Sequence, residues 1–301
     1  MNLYEELCSI TGAKHVLQNE PMSGHTTFRI GGPADFFVMP SDTEEIRQIA
    51  ALCRRESVPY YVVGNGSNLL VGDRGYRGVI VQVFKNMNHI SVDNGKICAQ
   101  AGALLSKVAA AAYEAGLTGL EFASGIPGTL GGAVRMNAGA YGGEMKQVLE
   151  SAEVLTPEGE VLAIPEKEMK MGYRTSIVSR MDYIVLGATL ALEPGDKQEI
   201  RARMDELKEK RVAKQPLEYG SAGSTFKRPE GYFAGKLIED AGLRGFRVGN
   251  AQVSEKHCGF VINRGGATAA EVVELMDEVV RRVEETSGVR LEPEVKRIGE
   301  F

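Results

Sequence analysis

The segment that most constrains the fold of this chain is residues 124–143, with the sequence SGIPGTLGGAVRMNAGAYGG. Seven of its twenty residues are glycine, and it contains no Asp, Glu or Lys. Glycine permits a positive φ and lets another group come close to the backbone. The intervening residues are mostly small or apolar, whereas a flexible Gly/Ser linker would be polar. Because the backbone N–H groups of such a bend still need acceptors, the segment predicts either a diphosphate-binding bend or a close-packed bend without a ligand.

A second glycine turn favours the ligand interpretation. Tyr60–Val63 is predicted to be a buried strand, and the sequence GNGSN at 64–68 follows it directly. The turn is not the dinucleotide fingerprint, because residue 69 is Leu where a third Gly is needed, and no Gly-Lys-Ser or Gly-Lys-Thr occurs in the chain. The two turns together therefore predict a large phosphate-bearing ligand held by backbone groups rather than by a lysine.

The composition is that of an ordinary globular protein, with 43% hydrophobic and 25% charged residues in 301. No apolar run approaches the ~18 residues of a membrane span, and the N-terminus lacks the pattern of a signal peptide. The four cysteines have no C-x-x-C spacing, which argues against a zinc site and fits a reducing cytoplasm. A net charge of −5 argues against nonspecific nucleic-acid binding. We therefore expect a cytoplasmic protein without a membrane, nucleic-acid or metal partner.

The charge is uneven along the chain. Residues 221–264 hold seven basic and four acidic side chains, a net +3 inside an acidic protein. This basic region predicts either a solvated face or a site for an anionic substrate, and charge alone leaves both interpretations open.

The order of the predicted elements indicates a mixed helix and strand fold. In the first half, strands alternate with helices, beginning with a helix over 2–18 and a strand over 26–30. A long apolar strand is predicted over 183–192 after the glycine-rich segment. A capping box that begins at Thr268 opens a long helix, and a short strand over 289–295 ends the chain.

Three side chains have chemistry that is informative only in combination. Arg174 can bind a carboxylate through two hydrogen bonds, although a lone arginine is more often in a surface ion pair. Ser224 alone is most often a turn residue, and no G-x-S-x-G elbow supports a hydrolase triad. Glu294 alone is an exposed acid at a strand end. The adjacent His257 and Cys258 favour an inert packed pair over a metal ligand or nucleophile.

A set of short motifs occurs in order between about residues 25 and 300. They are TFRIGG at 27–32, GNGSNLL at 64–70, GIPG at 125–128, GGA at 131–133, MNAGAYG at 136–142, YR at 173–174, GSTFK at 223–227, GNAQV at 249–253 and EPEV at 292–295. As a set they resemble the UDP-N-acetylenolpyruvoylglucosamine reductase family, flavoenzymes of bacterial peptidoglycan precursor synthesis. The short connection through residues 218–220 resembles that of the shorter subtype of the family, which lacks an extra substrate-covering loop.

The resemblance implies an α+β fold in three parts. Residues 1–24 would be a helical lead-in, 25–194 a FAD-binding domain of the vanillyl-alcohol-oxidase (PCMH) type, and 195–301 an α+β substrate-binding domain. The FAD-binding domain would have two lobes, at about 25–84 and 85–194.

The resemblance also implies a reaction. NADPH would reduce non-covalently bound FAD, and a hydride would then pass to the enolpyruvyl ether of UDP-N-acetylglucosamine enolpyruvate to give UDP-N-acetylmuramate. Ser224 would donate a proton, which a weakly acidic hydroxyl can do only toward a strongly basic carbanion. Arg174 and Glu294 would act at the substrate carboxylate, where Arg174 stabilises the developing charge. Glu294 could help only when protonated or through its partner, because a bare carboxylate would repel that charge.

Further residues are assigned to ligands by the resemblance. The FAD-binding residues would be Arg29, Gly64, Asn65, Gly66, Ser67, Asn68, Ser124, Gly125, Ile126, Gly128, Gly131, Gly132 and Asn137. The substrate-binding residues would be Tyr173, Lys227, Lys236 and Gln252. Two alternatives are another flavin oxidase or dehydrogenase of the same superfamily and a non-catalytic nucleotide-binding protein. Neither glycine turn contains the His or Cys to which many such oxidases attach the flavin.

Overall fold

The computed structural model describes residues 2–301, which form two compact units. The first unit contains the chain up to Leu17 together with Phe36–Asn65 and Val79–Arg211. The second unit contains Gln18–Asp35, Gly66–Gly78 and Val212–Phe301. Each unit is therefore assembled from three separate segments of the chain.

Helices and strands are both numerous. The α-helices are α1 (Leu3–Thr11), α2 (Thr43–Arg55), α3 (Leu105–Glu114), α4 (Leu130–Met136), α5 (Ile177–Arg180), α6 (Lys197–Lys214), α7 (Ala234–Asp240) and α8 (Ala269–Ser287). The strands are β1 (Val16–Pro21), β2 (Pro33–Val38), β3 (Tyr60–Val63), β4 (Leu69–Val71), β5 (Tyr76–Gln82), β6 (Ile90–Asp93), β7 (Lys96–Gln100), β8 (Leu117–Thr118), β9 (Gly139–Ala140), β10 (Gly143–Glu144), β11 (Leu149–Leu155), β12 (Val161–Pro165), β13 (Ile184–Ala191), β14 (Glu193–Pro194), β15 (Gly220–Ser221), β16 (Arg247–Val248), β17 (Ala251–Val253), β18 (Val261–Asn263) and β19 (Lys296–Ile298).

The larger core of the first unit surrounds an antiparallel sheet of order β12-β11-β13-β7-β6. Helices α3 and α4 contribute Leu105 and Val134 to this core, and the sheet contributes Ile97 and Leu190. All four side chains are fully buried. The apolar residues of α3 recur at helical spacing, so one face of the helix is buried while Ser106, Lys107 and Ala110 are exposed on the other.

A second core of the first unit joins α1, α2 and strand β5. Leu7, Ile49 and Val79 are fully buried within it. Helix α2 begins after Asp42, whose side chain accepts a 2.8 Å hydrogen bond from the Glu45 N–H. Strand β3 pairs in parallel with β5, and the chain leaves β3 directly into the glycine turn at 64–68.

The glycine-rich segment folds around a short helix rather than as one open loop. Helix α4 begins after Thr129 and ends at Asn137, whose backbone is left-handed with φ 45°. Gly131 lies in the first turn of α4, where an added Cβ would be 2.9 Å from the Cβ of Ala101. This glycine therefore lets α4 pack directly onto the chain that follows β7.

The second unit is built around the sheet β15-β18-β17-β16 and the long helix α8. The predicted capping box is confirmed, because the Thr268 side chain accepts from the Glu271 N–H and the Glu271 side chain accepts from the Thr268 N–H. The Asp73 carboxylate accepts two further hydrogen bonds, from the N–H groups of Ala269 and Ala270, at 2.7 and 2.9 Å. The exposed N–H groups of the first turn of α8 are thus satisfied from two places in the chain.

Three predictions of local structure are wrong. The N-terminal helix ends at Thr11 rather than residue 18, because Gly12 adopts φ 83° and β1 follows. Residues 26–30 form a tight turn instead of a strand, since Arg29 has φ 57° and its N–H donates to the Thr26 carbonyl. Residues 289–295, all described, form no strand, and the terminal strand is β19, which pairs in parallel with β4.

Candidate functional site

The two glycine turns meet in the first unit. The side-chain amide of Asn65 donates a 2.7 Å hydrogen bond to the carbonyl of Pro127. Gly64 lies so close to Thr129 that an added Cβ would be 2.1 Å from the Thr129 hydroxyl oxygen. Glycine is therefore needed at position 64 for close approach. The turn after β3 and the loop before α4 form one continuous surface.

A cleft of about 460 Å³ opens beside this junction, within the first unit. Its size lies within the roughly 300–1,000 Å³ typical of small-molecule sites. The N–H groups of Leu130 and Gly131 are bonded to nearby carbonyls at 2.8 Å, whereas Gly132 is exposed and lines the cleft. The cleft is lined by Arg54, Tyr60, Tyr61, Val62, Val63, Gly64, Val83, Ala101, Thr129, Gly131, Gly132, Arg135, Pro157, Val178, Asp182, Tyr183, Ile184 and Val185.

The chemistry of the cleft fits a nucleotide. Burial raises the pKa of Tyr61, and the nearby Arg135 partly opposes the rise. Burial also raises the pKa of Tyr60, and both tyrosines line the cleft. Arg54 and Arg135 supply positive charge in the same cleft. Aromatic walls, two guanidinium groups and exposed glycine backbone suit a ligand that carries both a ring and phosphates, and the residues therefore fit part of FAD.

The bend at 124–128 is held by local hydrogen bonds. The Ser124 hydroxyl donates to the Glu121 carbonyl at 2.8 Å, and the Ile126 N–H donates to the Ala123 carbonyl at 3.1 Å. The Gly128 carbonyl accepts from the Leu105 N–H at 3.1 Å, which ties the bend to the start of α3. The Ser124 side chain thus stabilises the bend itself.

Tyr173 and Arg174 form the tip of a tight turn in the first unit. Gly172 and Thr175 exchange two backbone hydrogen bonds across it, at 3.0 and 3.2 Å. Arg174 is left-handed with φ 56°, and its guanidinium lies 5.1 Å from the centre of the Tyr173 ring. A left-handed arginine is uncommon and is typical of functional turns.

Asn137 supports this turn from the end of α4. Its side-chain amide donates to the Gly172 carbonyl at 3.2 Å and to the Glu144 carboxylate at 2.9 Å. Its side-chain oxygen accepts from the Lys146 N–H at 2.9 Å. Asn137 is only 1% exposed. Both ends of the amide are thus bonded to protein groups, and the cofactor contact of Asn137 stays a prediction.

Ser224 and Glu294 lie on neighbouring segments of the second unit. The Glu294 N–H donates a 2.8 Å hydrogen bond to the carbonyl of Thr225, the residue after Ser224. Glu294 is 8% exposed, and its carbonyl accepts from the Asn68 side chain at 3.3 Å. The structure therefore brings together two predicted catalytic residues and one predicted cofactor residue that are distant in sequence. Arg174, the third predicted catalytic residue, belongs to the first unit.

The remaining predicted cofactor residues of the second unit surround the turn after residue 65. Gly66 has φ 62°, and an added Cβ there would be 2.1 Å from the His25 carbonyl oxygen. The Gly66 carbonyl accepts from the Thr27 N–H at 3.3 Å, so the segment that carries Arg29 packs on this turn. Ser67 is half-buried, and Arg29 is exposed.

The predicted substrate-binding residues of the second unit differ in burial. Lys227 pairs with Glu292 at 2.9 Å, and Lys236 pairs with Asp240 at 2.6 Å, all on the surface. The Lys227 ammonium lowers the pKa of Glu292, and Asp240 raises the pKa of Lys236. Gln252 is buried, and its Nε2 donates to the Gly245 carbonyl at 3.0 Å. Its buried Oε1 accepts no hydrogen bond from residues 2–301.

His257 and Cys258 are packed side chains. His257 Nδ1 accepts from the Gly259 N–H at 3.0 Å, and its ring lies edge-on to Phe260 at 5.0 Å. Burial lowers the pKa of His257 and raises the pKa of Cys258. Within residues 2–301 no group of three or more His, Cys, Asp or Glu side chains could hold a metal ion.

Several relatives match the chain over nearly its whole length. The UDP-N-acetylenolpyruvoylglucosamine reductase of Agathobacter rectalis is 57% identical over 298 residues, 95% of each chain. The chain belongs to the UDP-N-acetylenolpyruvoylglucosamine reductase family. The reductase of Clostridioides difficile is 48% identical over 299 residues, 99% of this chain and 98% of its own. The resemblance inferred from the motifs is confirmed.

The domain matches agree with membership of the reductase family. A family model described as "UDP-N-acetylenolpyruvoylglucosamine reductase, C-terminal domain" matches residues 215–298, and one described as "FAD binding domain" matches 34–164. The crystal structure of the reductase from Thermus caldophilus has a TM-score of 0.80 and 38% identity, covering 93% of this chain and 97% of that chain. Phl p 4, a grass pollen allergen with glucose dehydrogenase activity, shares the fold of 65% of this chain with a TM-score of 0.51 at 17% identity. The predicted α+β fold with a PCMH-type FAD-binding domain is confirmed.

Sequence reasoning missed several side chains at the cleft of this reductase family member. Thr129 could have been found as the residue before a helix, a position where Thr is favoured. Arg54 and Arg135 lie near the C-terminal ends of α2 and α4 and belong to no motif. A membrane-spanning helix is absent from residues 2–301.

Proposed function

We propose that this chain reduces the enolpyruvyl ether of UDP-N-acetylglucosamine enolpyruvate to UDP-N-acetylmuramate, with NADPH as hydride donor and bound FAD, in the cytoplasmic synthesis of peptidoglycan precursors. Relatives with the name of that enzyme match nearly the whole chain. The structural observation that carries the proposal is the junction of two glycine turns beside a nucleotide-sized cleft. UDP-N-acetylglucosamine enolpyruvate and NADPH are the proposed partners.

Residues of both glycine turns would hold the cofactor. The turn at 64–68 and the bend at 124–128 offer backbone groups to the diphosphate, and the exposed Gly132 extends that surface into the cleft. Tyr61 and Arg135 would face the rest of the nucleotide. When bound at these residues, FAD would supply the hydride-transfer chemistry between NADPH and the substrate.

Ser224 is assigned the proton donation to the carbon next to the hydride acceptor. The backbone next to Ser224 is held by two hydrogen bonds of Thr225. The Thr225 N–H donates to the Gly259 carbonyl at 2.9 Å, and the Thr225 hydroxyl accepts from the Val261 N–H at 2.8 Å. Ser224 itself is half-buried. A hydroxyl protonates only a strongly basic carbon, which hydride addition creates.

Arg174 and Glu294 are assigned to the substrate carboxylate. The left-handed turn presents the Arg174 guanidinium, whose planar donors match a carboxylate in two hydrogen bonds. Glu294 contributes as a protonated acid or through its partner. We also assign Asn137 a positioning role for the Arg174 turn, because its amide is bonded to Gly172 and Glu144.

The sugar nucleotide would bind the second unit. Lys227 and Lys236 are in exposed ion pairs, which are worth roughly 0–1 kcal/mol, so a diphosphate can compete for either ammonium. Gln252 presents a buried oxygen that accepts no hydrogen bond from residues 2–301, which suits a ligand N–H or O–H donor. Tyr173 is exposed at the tip of its turn. We propose a substrate domain over 195–301 and a two-lobed FAD domain over 25–194. The two hydrophobic cores of the first unit favour two lobes, whereas residues 195–211 belong to the first unit and residues 25–35 and 66–78 to the second.

A flavin spectrum tests the proposal directly. Purified protein should be yellow, NADPH should bleach the flavin absorbance, and the enolpyruvyl sugar nucleotide should restore it in a single turnover. Recovery of absorbance with oxygen but not with the sugar nucleotide would indicate an oxidase of the same superfamily. Colourless protein that cannot be reconstituted with FAD would indicate a non-catalytic nucleotide-binding protein and contradict the proposal.

A further inference from the structure

We propose that Arg211 supplies a positive charge to the bound cofactor at the bend 124–128, by binding a negatively charged oxygen of its diphosphate or of the reduced flavin ring. This inference rests on the proposed function, because it requires a flavin at that bend. No motif of the sequence contains Arg211.

The Arg211 side chain lies flat against the glycine bend. A Cβ added to Gly125 would be 3.1 Å from Arg211 Cδ and 3.5 Å from its Nη1. Gly125 has no positive φ, so its backbone angles do not require glycine. The absence of a side chain at position 125 is therefore what lets the guanidinium approach the backbone of the bend.

The charge of Arg211 is half-buried with no acidic neighbour to balance it. Within residues 2–301 no carboxylate lies within ion-pair distance of its guanidinium, and no hydrogen bond from it is found. The Arg211 side chain is half-buried, and this burial lowers its pKa. Buried charges in proteins are paired or bind a ligand, because desolvation otherwise disfavours them.

The position of Arg211 within α6 separates it from other arginines of the helix. Arg201 and Arg203 are exposed and pair with Asp205 and Glu206 one turn further along. Arg211 instead reaches the bend that already adjoins the Asn65 turn through Pro127. A planar guanidinium at this point can bind a phosphate or a ring oxygen through two parallel hydrogen bonds.

The test compares Arg211→Met with Arg203→Met, the same change at an exposed position of the same helix. Flavin release from the full-length holoenzyme is followed by the rise in flavin fluorescence on dilution, and the midpoint potential of the bound flavin is measured. Arg211→Met should bind FAD at least tenfold more weakly than Arg203→Met or shift the potential to a more negative value. Arg211→Lys should recover part of the loss, because it restores the charge but not the paired hydrogen bonds.

Reconstitution with three flavins identifies the contact. Weaker binding of FAD and FMN with unchanged riboflavin binding would assign Arg211 to a phosphate. Equal weakening of all three with a more negative potential would assign it to the ring. A FAD affinity within twofold of that of Arg203→Met, together with an unchanged midpoint potential, would overturn the inference. An equal loss of FAD affinity in Arg211→Lys and Arg211→Met, accompanied by a fall in the thermal stability of the cofactor-free protein, would also overturn it. If Arg211→Met does not fold, Arg211→Gln is measured by the same criteria. Wild-type protein that binds no flavin would instead overturn the proposed function.

Discussion

At the residue scale, the candidate site depends on a backbone conformation that is unfavourable for a residue with a side chain. Arg174 is left-handed, a conformation that costs an L-residue roughly 1–2 kcal/mol. The paired hydrogen bonds between Gly172 and Thr175 and the Asn137 amide hold it there. The tertiary structure therefore fixes the backbone from which the Arg174 side chain extends before any substrate arrives, which reduces the entropy lost on binding.

Ser224→Ala should separate the two half-reactions. The Ser224 hydroxyl makes no hydrogen bond within residues 2–301, so its loss should leave the free energy of unfolding nearly unchanged. Bleaching of the flavin by NADPH should keep its wild-type rate. Reoxidation by the enolpyruvyl sugar nucleotide should slow by roughly 10²–10⁴-fold, the range for loss of a general acid. Stopped-flow absorbance measures both rates in one preparation, and equal slowing of the two would contradict the assigned role.

At the element scale, the site is a junction between the end of a strand and the start of a helix. Strand β3 ends at Val63, and the next residue approaches Thr129, which precedes α4. The hydrogen bond from Asn65 to Pro127 makes a second contact between the same two elements. Flavin binding should therefore be more sensitive than the fold to changes at this junction.

Gly64→Ala should disrupt the junction through a steric clash with Thr129. The new Cβ would be 2.1 Å from the Thr129 hydroxyl oxygen and 3.1 Å from its Cβ and Cγ2, and such overpacking costs about 1–3 kcal/mol. We expect a lower FAD content per protein and a lower Tm. The double variant Gly64→Ala, Thr129→Ala should recover part of both losses, because it removes the closest atom. No recovery in absorbance or calorimetry would show that the clash is not the cause. Gly24→Ala, whose added Cβ would have no atom within 4 Å, serves as the matched control away from the cleft.

At the scale of the whole molecule, proximity does not follow sequence. Asn65 and Gly66 are consecutive but belong to different units, whereas Asn68 and Glu294 are bonded within one unit. Each unit is assembled from three segments and has its own hydrophobic core residues. A mutation that destabilises one core can therefore affect residues from distant parts of the sequence.

Stability should fall at alkaline pH partly because of Cys53. Burial raises the pKa of this thiol from 9.0 to about 11, so between these values the unfolded state loses its proton while the folded state keeps it. The stabilising contribution is complete below pH 9 and is lost as pH rises toward 11, with a slope of up to about 1.4 kcal/mol per pH unit. Urea unfolding at pH 8, 9, 10 and 11 should show a smaller alkaline slope in Cys53→Ala than in wild type. Identical slopes would show that the Cys53 thiol does not contribute, and Cys98→Ala, at an exposed thiol, is the control.

Much of the fold and part of the site could be predicted because they depend on local chemistry. The strand at Tyr60–Val63 and the helix after Thr268 follow from hydrophobic periodicity and capping, which are encoded by neighbouring residues. The motifs identify the family, and the resemblance proposes Arg174, Ser224 and Glu294 as catalytic residues. The turn at Arg29 was missed because it depends on contacts with Gly66 and Asn263, which are distant in sequence.

The sequence by itself determined the family, the predicted flavin and the types of side chain available for catalysis, because these depend on which residues are present and in what order. Only the tertiary structure decided that Gly64 faces Thr129, that Asn137 is occupied by protein partners, and that Arg211 lies against Gly125. The physical reason is that packing and burial arise from residues far apart in the chain. Whether a glycine is needed for close approach, or a charge is left without a partner, depends on what the folded chain places beside it.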